Sequence, residues 1–279
     1  MRIDPAELHA RLDRVTVLEA SLPMPDSRRD AAAEFEARRI PGALRFDIER
    51  IADVASGLPH TLPSPEAFGA MVGALGISND TEIVVYEGGA PFAAPRAWWM
   101  FRVMGHDAKV LDGGLERWVR EGYPVETGPP RVPEVATFTA RLRPELLADA
   151  EQVAEALQEG RPVVDARSSE RFEGRAAEPR AGLRSGHMPG ARNLHYASLI
   201  DADGRLKPPD ALRSAFEEAG VALDRPAITT CGSGVTAAIL SLALEEVGGS
   251  SAVYDGSWTE WGADTDRPVA KGPAAPAQA

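Results

Sequence analysis

One long-range repeat constrains this chain more than any other feature. Pro41-Gly42-Ala43 recurs 148 residues later as Pro189-Gly190-Ala191. Leu75-Gly76-Ile77 is echoed 144 residues later by Ala219-Gly220-Val221. Asp112-Gly113-Gly114, with Trp118 six residues past the aspartate, returns 143 residues on as Asp255-Gly256-Ser257 with Trp261. Three echoes in the same order at nearly one spacing mark a duplicated domain, because solenoid repeats run only about 20–50 residues. The copies are expected at residues 1–127 and 139–270. Between them Thr127-Gly-Pro-Pro-Arg-Val-Pro-Glu-Val135 reads as an extended linker, placed at 128–138, since proline fixes φ and removes donors. Residues 271–279, rich in Ala and Pro, are expected to be a disordered tail.

Within each copy, short apolar runs alternate with helical patterns. Thr81–Tyr86, Arg161–Asp165 and Pro226–Thr230 read as buried strands. Pro95–Gly105 and Val235–Val247 read as the helices that follow two of them. Alternation of this kind predicts an α/β fold, a parallel sheet with helices on both faces. In such sheets ligands bind outside the carboxyl ends of the strands.

The 279 residues suffice for two cores, and 44% hydrophobic with 26% charged is the balance of a globular protein. A net charge of −12 argues against nucleic acid and anionic membrane surfaces as partners, without excluding a small anion held by local arginines. The single cysteine, Cys231, excludes an internal disulfide and a thiolate zinc site. No signal peptide or membrane-spanning run is read, so a cytoplasmic location is the expectation. No metal or organic cofactor is implied.

Cys231 follows a strand and opens the loop Cys231-Gly-Ser-Gly-Val-Thr236, ahead of a helix. Gly232 and Gly234 permit a tight curl whose N–H groups make an anion nest, and the helix start adds positive potential. Such a nest suits a thiolate, the nucleophilic form of cysteine. Ser233 and Thr236 can add hydroxyl donors. The alternative is an inert core thiol, a common fate for a lone cysteine. Phosphatases with a cysteine nucleophile close their loop with an arginine six positions on; Ala237 stands there, which argues against phosphoryl chemistry.

These features resemble the tandem-domain rhodanese family, over about Leu8 to Gly262. The resemblance is carried by Arg39-Ile-Pro-Gly-Ala-Leu-Arg-Phe-Asp47, Ala94-Pro-Arg-Ala-Trp-Trp-Met-Phe101, Gly186-His-Met-Pro-Gly-Ala191 and Tyr254-Asp-Gly-Ser-Trp-Thr-Glu-Trp261. The cysteine loop is similar to that of the 3-mercaptopyruvate sulfurtransferase branch, whereas thiosulfate-specific relatives carry basic side chains directly after the cysteine. The resemblance implies two rhodanese-like domains, the second catalytic. In the first, Glu87 aligns with Cys231, and a carboxylate cannot carry sulfane sulfur.

By the same resemblance, Arg171 and Arg180 bind the donor's carboxylate and keto oxygen, and Val235 and the rest of the loop line the site. Arg167 and Arg175 share the stretch and compete for that role. Asp165 is expected to hold Arg171 by an ion pair. Ser233, His60 and Glu49 match a proton relay, with glutamate where the family has aspartate; for His60 simple packing is the alternative. The expected cycle passes sulfur from 3-mercaptopyruvate through a Cys231 persulfide to a thiol, a thioredoxin-type protein or cyanide, releasing pyruvate. Thiosulfate as donor and a catalytically silent binding module are the rival readings.

Overall fold

The computed structural model describes residues 1–24, 27–89 and 92–274. Packing divides them into two units. The first comprises Met1–Ala55, Leu62–Arg143 and Asp201–Leu206; the second comprises Ser56–Thr61, Pro144–Ile200 and the chain from Lys207.

In the first unit the order is β1 (Arg2–Ile3), α1 (Pro5–His9), β2 (Val15–Glu19), α2 (Ala31–Ala37), β3 (Leu44–Arg45), α3 (Pro65–Ala74), β4 (Glu82–Tyr86), α4 (Ala94–Val103), β5 (Ala108–Leu111) and α5 (Gly114–Arg120). The second repeats this plan. It runs β6 (Leu147–Ala148), α6 (Ala150–Gln158), β7 (Val163–Asp165), α7 (Ser169–Phe172), β8 (Arg192–Asn193), α8 (Pro209–Glu218), β9 (Ala227–Thr230), α9 (Ala237–Glu246), β10 (Ser251–Tyr254) and α10 (Ser257–Trp261). The sheets are ordered β1-β5-β4-β2-β3 and β6-β10-β9-β7-β8, every pair parallel. Each expected strand and helix is present, with ends moved by one to two residues.

Crossovers between parallel strands are right-handed, so the face a helix takes follows from the direction of travel across the sheet. In the first unit the chain moves one way from β1 to β3, then reverses toward β4 and β5. The reversal puts α1 and α2 on one face and α3 and α4 on the other. The side chains agree: Leu8, Phe35, Leu115 and Trp118 pack on one side of Val17 and Val84. Phe46, Phe68 and Phe101 form a separate aromatic group with ring centroids 5.3–6.5 Å apart. In the second unit Val153, Phe172, Trp258 and Trp261 pack with Val163 and Ile228. Strands β7 and β9 lie side by side and lead in opposite directions, so their carboxyl ends flank the topological switch point.

The stretch expected as an extended linker is strapped to the first unit. Ala136 donates its N–H to Gly73 (2.9 Å), Arg141 to Met104 (2.8 Å) and Arg143 to Val103 (2.7 Å). Phe138 is buried with its ring 5.9 Å from Phe68 and 6.2 Å from Phe101. The stretch is extended, as its prolines require, but its contacts carry the first unit through to Arg143, past the expected boundary at 127. Gly69 and Gly73 in α3 make room for it. A Cβ at Gly69 would lie 2.6 Å from the Phe138 carbonyl oxygen, and one at Gly73 2.5 Å from that of Ala136. At the other end of the chain, Gly272 donates to the Glu173 carbonyl at 2.9 Å and Ala274 packs against the core. Those residues of the expected tail are therefore anchored; residues 275–279 lie outside the described residues.

Helix propensity alone predicts that Gly73→Ala stabilises by about 1 kcal/mol. The carbonyl contact predicts the opposite, a loss of about 1–3 kcal/mol as the strap is displaced. Urea unfolding of the variant distinguishes the two by sign.

Candidate active site

Strand β9 ends at Thr230 and delivers Cys231 at the carboxyl edge of the sheet. The thiol is free and 2% exposed. Two backbone bonds hold the loop from outside: Trp258 N–H donates to the Cys231 carbonyl (3.0 Å) and Thr259 N–H to that of Gly232 (2.9 Å). The Thr259 hydroxyl donates to the same Gly232 oxygen. With these carbonyls engaged by α10, the peptide N–H groups of Gly232, Ser233, Val235 and Thr236 have no acceptor among the described residues. Gly234 takes φ +77°, which completes the curl. The loop thus carries a row of unspent donors, which is what an anion nest requires.

The Cys231 N–H itself is directed elsewhere, to the hydroxyl of Ser257 at 3.2 Å. That hydroxyl also accepts from Thr230 Oγ1 (3.3 Å) and donates to the Tyr254 carbonyl (2.7 Å). Ser257 is fully buried with φ +50°, a conformation rare outside glycine. Its counterpart in the first unit is Gly114, at φ +57°. The sequence signal for Ser257 was the one mismatch in the duplicated Asp-Gly motif.

The structure separates the four arginines of the stretch 165–180, from the end of β7 onward. Arg175 is exposed and paired with Glu173. Arg167 is buried, its side chain 1% exposed, with its carbon Cζ 4.3 Å from the Trp258 ring centre. Burial acts to lower its pKa, but Asp165 and Glu178 outweigh that and hold it above its ordinary value. Asp165 therefore serves Arg167, through Nε (2.9 Å) and Nη2 (2.6 Å), and not Arg171 as expected. The two residues are separated only by Ala166 at the strand end, which a short aspartate can span. Arg171 pairs with Glu178 at 2.5 Å. Its guanidinium lies over the loop: a Cβ on Gly232 would sit 3.0 Å from Arg171 Nη2. Arg180 is near enough for a Cys231 thiolate to stabilise its charge, although burial is the larger influence and leaves its pKa below the ordinary value.

The proposed relay residues fall in different places. His60 belongs by packing to the second unit, and Arg180 Nη2 faces its Nε2 at 3.4 Å. His60 takes φ +63°, in the left-handed region that few non-glycine residues adopt. No hydrogen bond joins it to Ser233, whose hydroxyl has no partner among the described residues. Glu49 is exposed and belongs to the first unit, its N–H bonded to Asp47 at 3.1 Å.

In the first unit the position after β4 is Glu87. Leu115 N–H bonds the Glu87 carbonyl at 3.0 Å, as Trp258 does for Cys231. The Glu87 carboxylate accepts N–H bonds from Phe92 and Ala93, each at 2.7 Å. Where the second unit keeps open donors for a ligand, the first fills them with its own side chain. Burial raises the Glu87 pKa to about 8 against the pull of those N–H groups.

The match to known proteins follows this geometry. The rhodanese-like domain model matches residues 4–121 and 149–264. The chain belongs to the rhodanese-like family, in its tandem-domain form. It is 41% identical over 259 residues to the 3-mercaptopyruvate sulfurtransferase of Escherichia coli K12, covering 91% of this chain and 92% of that protein. It is 47% identical over 251 residues to the thiosulfate sulfurtransferase of Rattus norvegicus, covering 88% and 84%. The crystal structure of SseA from Escherichia coli superposes with a TM-score of 0.84 at 37% identity, covering 92% of this chain and 98% of that one.

Because the neutral acid is the form burial favours, Glu87 contributes stability in full below its unfolded value near 4.5 and loses it as pH rises through about 8. Glu87→Gln, fixed in the neutral shape, is expected to flatten this fall. Urea unfolding of both proteins at pH 5 and pH 8.5 measures it, and equal slopes would contradict the assignment.

Proposed function

We propose that this chain is a 3-mercaptopyruvate sulfurtransferase that carries sulfur as a Cys231 persulfide. The observation that carries the donor assignment is the placing of Arg171 over Gly232, with Arg180 within electrostatic reach of Cys231. Two guanidiniums beside one cysteine suit a short, planar α-keto acid, whose carboxylate takes a bidentate fork. A basic side chain at position 232, the pattern of thiosulfate-specific relatives, would crowd Arg171 and displace its guanidinium from over the loop.

The Cys231 thiolate attacks the donor sulfur; the carbon–sulfur bond breaks, and its electrons leave on pyruvate as the enolate, which takes a proton. The N–H groups of Gly232, Ser233, Val235 and Thr236 surround the resulting persulfide. The Ser233 hydroxyl, on the same loop as Cys231, is the candidate to pass the enolate its proton, with His60 facing Arg180 at 3.4 Å. A thiol, a thioredoxin-type protein or cyanide then attacks the outer sulfur and restores the thiolate. A reducing compartment such as the cytoplasm keeps that thiol available.

A second reading, thiosulfate as donor, is favoured by the 47% identity to the rat thiosulfate sulfurtransferase. Initial rates with each donor, cyanide as acceptor, decide between them: the rate with 3-mercaptopyruvate is expected to be the higher. Donor-treated protein should gain the mass of one sulfur on Cys231. Cys231→Ser should lower transfer by on the order of 10³-fold or more. Transfer retained by that variant would overturn the mechanism, and a faster rate from thiosulfate would overturn the donor assignment.

A further inference from the structure

We infer that Glu178 is the positioning residue of the donor site: it transmits the fixed geometry of the core to the arginine that binds the donor. The inference rests on the reading that Arg171 binds the donor carboxylate.

The Glu178 side chain is 1% exposed and divides its oxygens between two guanidiniums. Oε1 accepts from Arg167 Nη1 at 2.9 Å, and Oε2 from Arg171 Nη2 at 2.5 Å, with Arg171 Nε 3.4 Å from Oε1. Arg167 cannot follow a moving partner, because it is also bonded to Asp165, to the Gly186 carbonyl (2.9 Å) and against Trp258. Arg171 has no comparable anchor. Its side chain is 23% exposed, its Nε and Nη2 are committed to Glu178, and Nη1 has no hydrogen-bond partner among the described residues. One edge of the fork is held and the rest is left for a ligand. Pro179 restricts Glu178 to an extended backbone, and Arg180 follows two residues after Glu178. The segment that orients one donor arginine thereby supplies the other.

Two effects compete when the Glu178 charge is removed. A more positive pocket would by itself tighten anion binding. Loss of the anchor frees a long side chain that the donor must then immobilise, which weakens binding. Glutamine separates the effects, since its amide has one acceptor oxygen and turns an NH₂ toward one guanidinium. Arg167 keeps its other partners, so Arg171 is the one released.

The test measures both half-reactions in Glu178→Gln, Arg171→Met and the double variant. For Glu178→Gln, KM for 3-mercaptopyruvate should rise about 10- to 100-fold, with kcat at saturation within about threefold of the parent. Discharge of preformed persulfide to cyanide should be unchanged, because that step needs no donor site. The double variant should be no worse than Arg171→Met alone. An unchanged or lowered KM in Glu178→Gln, beside a raised KM in Arg171→Met, overturns this inference and leaves the donor site standing. A normal KM in Arg171→Met overturns the donor-site reading itself. An equal fall in both half-reactions with a lowered unfolding midpoint reduces Glu178 to a structural residue, which also overturns the inference.

Discussion

Taking a guanidinium out of water carries a large desolvation cost, and one buried to 1% exposure persists only where its donors are met. Arg167 meets that condition. Two carboxylates, one carbonyl and an indole face enclose it, and each belongs to a different part of the second unit. Asp165 comes from the end of β7, Glu178 from the segment beyond α7, Gly186 from the approach to β8, and Trp258 from α10. The same α10 carries Thr259, whose N–H and hydroxyl fix the Gly232 carbonyl. The buried cation thus ties together the pieces that shape the cysteine loop and those that present the arginines. An excess of either charge in that cluster would be unsupportable at such depth; two acids and two bases balance.

The two units show what the backbone frame determines and what it leaves to the side chain. Strand order, the positive φ at Gly114 and Ser257, and the N–H bond to the carbonyl of Glu87 or Cys231 are common to both. Two differences within that frame, Glu87 against Cys231 and Gly114 against Ser257, separate a closed loop from an open one. Glu87 satisfies its own loop's donors. Cys231 is too short to do so and leaves them unspent. Ser257 accepts a left-handed backbone, adopted at no cost by its glycine counterpart, to give the Cys231 N–H a hydroxyl partner. Local strain is retained at a functional place and supported by complete burial around it.

Much of this was legible in the residues. The duplication, the alternation of strand and helix, and the place of Cys231 follow from short-range patterns that tertiary contacts reinforce. The pairing of charges did not follow. Asp165 was expected to hold Arg171, but in a stretch with several acids and bases sequence distance does not say which meet, because residues 173–186 fold back on the strand end. The linker was read as extended, but its contacts make it part of the first unit. Its signal was present in Gly69 and Gly73, one helical turn apart, which is the mark of a close backbone approach. His60 was assigned to the first domain by its position in the chain, whereas its packing assigns it to the second. Chain order and contact order differ there, and only the fold reveals it.

The depth of Cys231 also sets what the chain can avoid. A disulfide requires the two Cα atoms to come within about 7 Å. A cysteine that is 2% exposed, at the end of a central strand, is poorly placed to bring its Cα so close to that of another folded protein. Burial therefore disfavours cross-linking of two copies of this chain through their thiols. An acceptor needs only the outer sulfur, about 2 Å further along the bond. The molecule can hold a nucleophilic thiol at high concentration without a second cysteine to protect it, because depth screens it by size.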